Sequence, residues 1–192
     1  PAEEIGRGAM AMFEQGCMDG VDYAFGIHIS STLPCSYVAG MIGSSHAAAD
    51  WFKINIKGKT AHGADPKNGI DAAVAGSAVV MALQTMVSRE FDPADPVVVT
   101  VGSIHSGSRF NIIPGECKIE GTCRMYSPEI HDNIENVMRR IVENTAAAYR
   151  CTAELEYNKL VEANVNNEDA FNIGKGAIEK VAPGKFIQGE PT

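Results

Sequence analysis

Four stretches of the chain read as strands, and three of them alternate apolar and polar residues with the period of a half-buried strand. In "DWFKINIKG", Phe52, Ile54 and Ile56 alternate with Lys53, Asn55 and Lys57. "VVVTVGSI" is rich in β-branched residues. "ECKIEGTCRMY" sets Cys117, Ile119 and Cys123 on one face and Lys118, Glu120, Thr122 and Arg124 on the other, and "CTAELEYNK" alternates again. Two intervening segments have the helical period instead. "IDAAVAGSAVVMALQTMVSRE" repeats Val79, Leu83, Met86 and Val87 at helical spacing and stops before "FDPADP", whose prolines cannot continue a helix. "SPEIHDNIENVMRRIVENTAAAY" offers Ser127 as N-cap, Pro128 at the first helical position, and a face of Ile130, Ile134, Val137, Ile141 and Thr145.

The resulting order, β-α-β-β-α-β from about residue 50 to 160, predicts an α+β, ferredoxin-like sandwich. Both helices cover one face of a four-stranded antiparallel sheet, and the other face meets water. The domain so defined runs over residues 49–162, with flanks 1–48 and 163–192. The flanks hold a helix-like "GRGAMAMFEQG", an apolar "YAFGIHI" read as a strand carrying His28, and a helix from Asn167 to about Lys180. Neither flank has enough elements to close a core of its own, so both are expected to be partial segments of another domain.

Charge narrows the partners. With 24 acidic and 16 basic residues the formal charge is −8, and no run of Lys or Arg forms a phosphate-tracking surface, which excludes nucleic acid. No apolar run approaches the roughly 20 residues that span a bilayer. The first residues lack the features of a secretory signal, so no membrane partner and a cytoplasmic setting are expected. Five cysteines, none in a CxxC pair, read as reduced and mostly buried.

Several residue groups then invite a chemical reading beside a bland one. Glu3 and Glu4 behind Pro1 suit the first turn of a helix. The local pattern alone favours that helix start over a catalytic role. His62 in "GKTAHGADP" lies in a Gly-rich loop after a strand, where an imidazole in solvent is the local reading. "SGSRFNIIPGE" is long for a hairpin connection and therefore a functional candidate. Within it Asn111 suits a cap on the turn before Pro114. Arg124 sits on the polar sheet face among Lys118, Glu120 and Thr122. His46, His105 and His131 earn no role, His131 being placed on an exposed part of its helix.

The succession "PAEE", "GIHI", "GKTAHGADP", "QTMVSRE", "DPADPVVVTVGSIHSG", "FNIIP", "GTCR" resembles the metal-dependent amidohydrolases that cleave N-acyl amino acids. Aminoacylases, hippurate hydrolases and auxin-conjugate hydrolases belong to that family, which is related to zinc carboxypeptidases and dipeptidases. The resemblance implies an α/β zinc-peptidase-like catalytic domain interrupted by a ferredoxin-like lid, or dimerisation, domain. It also implies roles. Glu3 becomes the general base, Glu4 and His28 metal ligands, His62 the donor that steadies the oxyanion, and Asn111 and Arg124 the grip on the substrate's free carboxylate. The implied cofactor is one or two divalent ions of zinc, manganese, nickel or cobalt. The implied partners are an N-acyl amino acid and a second copy of the chain joined through the lid, whose histidine in several relatives reaches the partner's site.

Relative to that family, an upstream metal-ligand segment and a late histidine ligand are missing. The chain is therefore expected to be a fragment, inactive by itself and without a tightly bound metal. Two rival readings remain: a carboxypeptidase or deacetylase of the same superfamily, such as an N-acetyl-diaminopimelate deacetylase, or a non-catalytic dimerisation module.

Overall fold

The alternating segments pair into one sheet. The computed structural model describes residues 7–191. In chain order its elements are α1 (Arg7–Glu14), β1 (Val38–Gly40), β2 (Gly43–His46), β3 (Ala48–Lys57), β4 (Ala61–His62), a 3₁₀ turn (Pro66–Asn68), α2 (Ala72–Arg89), β5 (Val97–Ser106), β6 (Ile112–Ile113), β7 (Glu116–Met125), α3 (Pro128–Ala148), β8 (Thr152–Val161), β9 (Asn164–Asn166), α4 (Glu168–Val181) and β10 (Phe186–Gln188). They form two units, Ala48–Glu162 and the residues on either side of it.

In the central unit the strands lie in the order β5-β7-β3-β8, every pair antiparallel. Phe52, Ile54 and Ile56 of β3 and Cys117, Ile119, Cys123 and Met125 of β7 point inward and are buried. Ala75, Val79, Leu83 and Met86 of α2 and Ile134, Met138 and Val142 of α3 close over them. Each of the buried Phe, Ile, Leu, Val and Met side chains contributes about 1.5–3 kcal/mol of transfer free energy. Gly121 sits where a Cβ would collide with the Thr100 carbonyl and the Phe52 ring, so only glycine allows the strands and core to meet there.

Both helices begin as their sequences require. Asp71 accepts from the amides of Ala73 and Val74 at the start of α2, and Ser127 accepts from that of Ile130 ahead of Pro128 in α3. Their faces differ in detail from the sequence expectation. On α3 the sheet takes the row Ile130, Ile134, Met138, Val142 and Ala146, leaving Ile141 and Thr145 half-buried. Val87 of α2 is exposed. Neighbouring rows of a helix share its period, and the facing sheet chooses between them.

The flanking unit contains two short pairings. β1 runs parallel to β10, with Val38 opposite Phe186, and β2 runs antiparallel to β9, with Ser44 opposite Val165. Phe171 of α4 packs edge-on against Phe186 at 5.7 Å between ring centroids. The stretch "YAFGIHI" is not a strand: residues 23–29 pair with no other described segment, and Ile27 and Ile29 are 92% and 90% exposed. An apolar run lacks the period that would distinguish a strand from a loop, and no partner strand is available to it among the described residues.

Candidate active site

His62 and Asn111, 49 positions apart, are joined by the smallest sheet in the molecule. β4 and β6 pair antiparallel with His62 opposite Ile112, and the Gly63 amide donates to the Asn111 carbonyl at 2.8 Å. A Cβ on Gly63 would stand 3.1 Å from that carbonyl oxygen, so glycine permits the approach. Both His62 and Asn111 are exposed. The Ala64 amide donates to His62 Nδ1 at 3.1 Å. A ring nitrogen that accepts carries no proton, so the neutral imidazole bears its hydrogen on Nε2. His62 is thus oriented as an N–H donor. An open cleft of about 490 Å³, lined in part by Thr60, Ser108, Ile112 and Pro114, borders this loop.

Arg124 stands at the other end of the same sheet. It pairs with Ala49 at the start of β3, whereas the His62 loop leaves β3 after Lys57. At about 3.3 Å per residue the two positions are separated by roughly 25 Å along the strand. Arg124 Nη1 donates to the Cys123 carbonyl at 2.9 Å and the Asp50 carbonyl at 3.4 Å. The structure therefore brings His62 to Asn111 and keeps Arg124 away from both within one protomer.

Next to Arg124 lies a polar cluster that the sequence reading missed. Expected on an exposed part of its helix, His131 is instead buried, with Nε2 3.0 and 3.1 Å from the two carboxylate oxygens of Asp50. Asp50 is fully buried in its side chain and also accepts from the Tyr157 hydroxyl at 2.7 Å. Burial, then the neighbouring Cys123 and Asp50, raise the Tyr157 pKa. Burial likewise pushes the Cys123 thiol up to about 12. One signal for this cluster was present. Asp50 is in phase with Phe52, Ile54 and Ile56, and an acid on the apolar face of a strand needs a buried partner.

The candidate metal ligands belong to the flanks of the chain. Glu3 and Glu4 fall outside the described residues. His28 Nδ1 lies 2.7 Å from the Ile29 carbonyl. A carbonyl can only accept, so Nδ1 carries the hydrogen and Nε2 keeps its lone pair, the arrangement of a metal-binding imidazole held by a backbone oxygen. Its chemistry fits a metal ligand. Among the described residues no three His, Cys, Asp or Glu side chains gather as a metal site.

Residues 44–150 match the family model described as a peptidase dimerisation domain. An N-acetyl-L-cysteine deacetylase of Bacillus subtilis (strain 168) is 35% identical over 180 residues, covering 94% of this chain and 43% of the relative. The IAA-amino acid hydrolase ILR1-like 2 of Arabidopsis thaliana is 35% identical over 196 residues, covering 100% and 44%. A crystal structure of a Bacillus subtilis protein described as a dinuclear metal-binding peptidase from the M20 family superimposes with a TM-score of 0.81 at 28% identity, covering 100% of this chain and 48% of that one. The chain thus spans less than half the length of these relatives.

Proposed function

Because this chain belongs to the M20 peptidase family and contains its dimerisation domain, we propose that it is part of a metal-dependent amidohydrolase acting on N-acyl amino acids. Two of the similar proteins are named for an N-acyl amino acid or an amino-acid conjugate, which supports the substrate class. In the complete enzyme Glu4 and His28, the latter through Nε2, would be among the ligands of one or two divalent ions. A bound ion supplies Lewis acidity toward the scissile carbonyl. Glu3 accepts the proton of the attacking water and returns it to the leaving amine. His62 donates from Nε2 to the oxygen that gains charge, and Asn111 and Arg124 hold the substrate's carboxylate.

The observation that carries the reading is the placement of His62 with Asn111 at one end of a sheet and Arg124 at the other. One substrate molecule cannot touch both ends of a single protomer. A two-fold partner removes the difficulty. β5 is an edge strand with no Lys, Arg, Asp or Glu, whereas the other edge, β8, carries Glu154, Glu156 and Lys159. Uncharged edges invite pairing and charged ones resist it. Beside β5, α2 exposes Val74 at 50% and Met81 at 70%. Pairing of β5 with its own copy must run antiparallel about the two-fold axis. The Arg124 end of one sheet then lies beside the His62 and Asn111 end of its mate, and each site draws on both protomers.

Mixing two variants of the complete enzyme, His62→Ala and Glu3→Gln, tests this. Each homodimer is nearly inactive, and the heterodimer regains one site holding both groups. Recovery of roughly a quarter of wild-type activity at statistical mixing is expected. Heterodimers that form without recovering activity would show that His62 serves its own protomer or has no part in the reaction.

A further inference from the structure

We propose that Asp50, clamped by His131 and Tyr157, is a positioning residue that sets the direction of the Arg124 guanidinium. The proposal rests on the reading of Arg124 as the group that holds the substrate's carboxylate. Arg124 Nη1 is shared between two carbonyls, those of Cys123 at 2.9 Å and Asp50 at 3.4 Å, and these two residues face each other across β3 and β7. The guanidinium therefore inherits its orientation from how the peptide plane at Asp50 is held.

That plane sits at an irregular place. Opposite β8 the register slips between Ala49 and Asp50, so that Ala49 faces Val161 while Asp50 faces Lys159. A bulge of this kind bends a strand and loosens the ladder, and bulges often re-aim groups next to a site. The ladder to β7 is unbroken at Asp50, and its side chain adds a hold on the irregular β8 side. The carboxylate is tied to α3 through His131 and to β8 through Tyr157, from two different elements, with all three groups removed largely or partly from water.

Stability alone does not account for the cluster. A buried cluster of ionisable groups is commonly no better for folding than well-packed apolar residues of the same volume. Asp50 stands where the pattern of Phe52, Ile54 and Ile56 would place an apolar residue. A set of oriented hydrogen bonds delivers what an apolar contact cannot, a defined rotation of the peptide that carries the carbonyl. The long side chain of Arg124 gains from this, because its exposed fork would otherwise sample many directions before meeting a carboxylate.

The test uses Tyr157→Phe, His131→Gln and the shape-conserving Asp50→Asn, because Asp50→Ala strands His131 and risks unfolding. In this chain, the Nε–H resonance of Arg124, identified by its loss in Arg124→Lys, reports side-chain order. We expect Tyr157→Phe and His131→Gln to lower that order while the thermal transition stays cooperative, with Asp50→Asn nearer the parent. In the complete enzyme Tyr157→Phe and His131→Gln should raise KM for an N-acyl amino acid on the order of tenfold, as for a misaligned charge-assisted hydrogen bond, with kcat within about twofold and Asp50→Asn nearer the parent. For the matching substrate with its carboxylate converted to an amide, KM should not change. An unchanged Arg124 resonance in folded variants, or equal losses on acid and amide, overturns the proposal. If Arg124→Lys itself leaves KM for the acid unchanged, the carboxylate reading of Arg124 fails, and the resonance alone decides whether Asp50 positions it.

Discussion

The central unit and its flanks obey the same local rules and reach opposite results. Asp71 caps α2 and Asn167 caps α4 with the same pair of bonds, at 2.9 and 3.1 Å from the amides two and three residues on. Yet α2 buries Ala75, Val79, Leu83 and Met86 against the sheet, while none of α4 is buried. Around α4 and α1 the described flanks expose Met10, Phe13, Phe25, Ile27, Ile173 and Val181. Regular elements are thus cheap to specify locally, and a core needs enough of them to close on one another. The flanks have elements without closure.

The largest test of that contrast is excision. Residues 48–162 alone should unfold in one cooperative thermal transition, because the sheet and both covering helices lie inside them. A broad, non-cooperative melt would show that the flanks are needed for the core. A pair of substitutions sharpens the same point. Phe52→Ala, at a fully buried ring, should lower stability by roughly 3–5 kcal/mol in denaturant titrations. Phe13→Ala, at a ring 61% exposed, should stay within about 0.5 kcal/mol.

A pH effect should belong to the central unit as well. Cys123 keeps its proton in the folded state up to about 12, against 9.0 for an ordinary thiol. Between those values the unfolded chain is thiolate while the folded one is not, so the folded state binds more protons and stability falls as pH rises. The stabilisation is complete below about pH 9 and is lost toward pH 12, at a slope of about 1.4 kcal/mol per pH unit. Tyr157, also raised, steepens the loss at the upper end. Cys123→Ala should flatten the slope, and the excised unit should keep it; a slope unchanged by that substitution would assign the effect to other groups.

The smallest expected difference compares the two caps. Asp71→Ala should cost about 1 kcal/mol of the central transition. Asn167→Ala should leave that transition where it was, since α4 contributes nothing to the core that unfolds. A shift of similar size from both would mean that the flanks and the central unit unfold together.

Alternation and capping, both local, made much of the fold legible. Every strand of the four-stranded sheet and both of its helices follow from residues within a few positions of one another, because side-chain direction repeats every two residues in a strand and every 3.6 in a helix. The chemistry-bearing types were legible too, His62, Asn111 and Arg124 among them, from the loops and faces that carry them. Their grouping was not. His62 meets Asn111 through a pairing of two-residue strands that no periodicity announces. Arg124 lies far from both because it stands near the far end of the ten-residue β7, whose start lies at the His62 end of the sheet.

His131 marks the boundary most sharply. A histidine beside Ile130 on an otherwise amphipathic helix reads locally as solvent-facing, and burial without a partner would be costly. Its partner is Asp50, 81 positions away on β3, and Tyr157 on β8 completes the cluster. The sequence by itself determined the elements and which face of each wants water. Tertiary structure alone decided which polar groups meet inside, because the free energy of burying an ionisable side chain depends on a partner that sequence distance does not reveal.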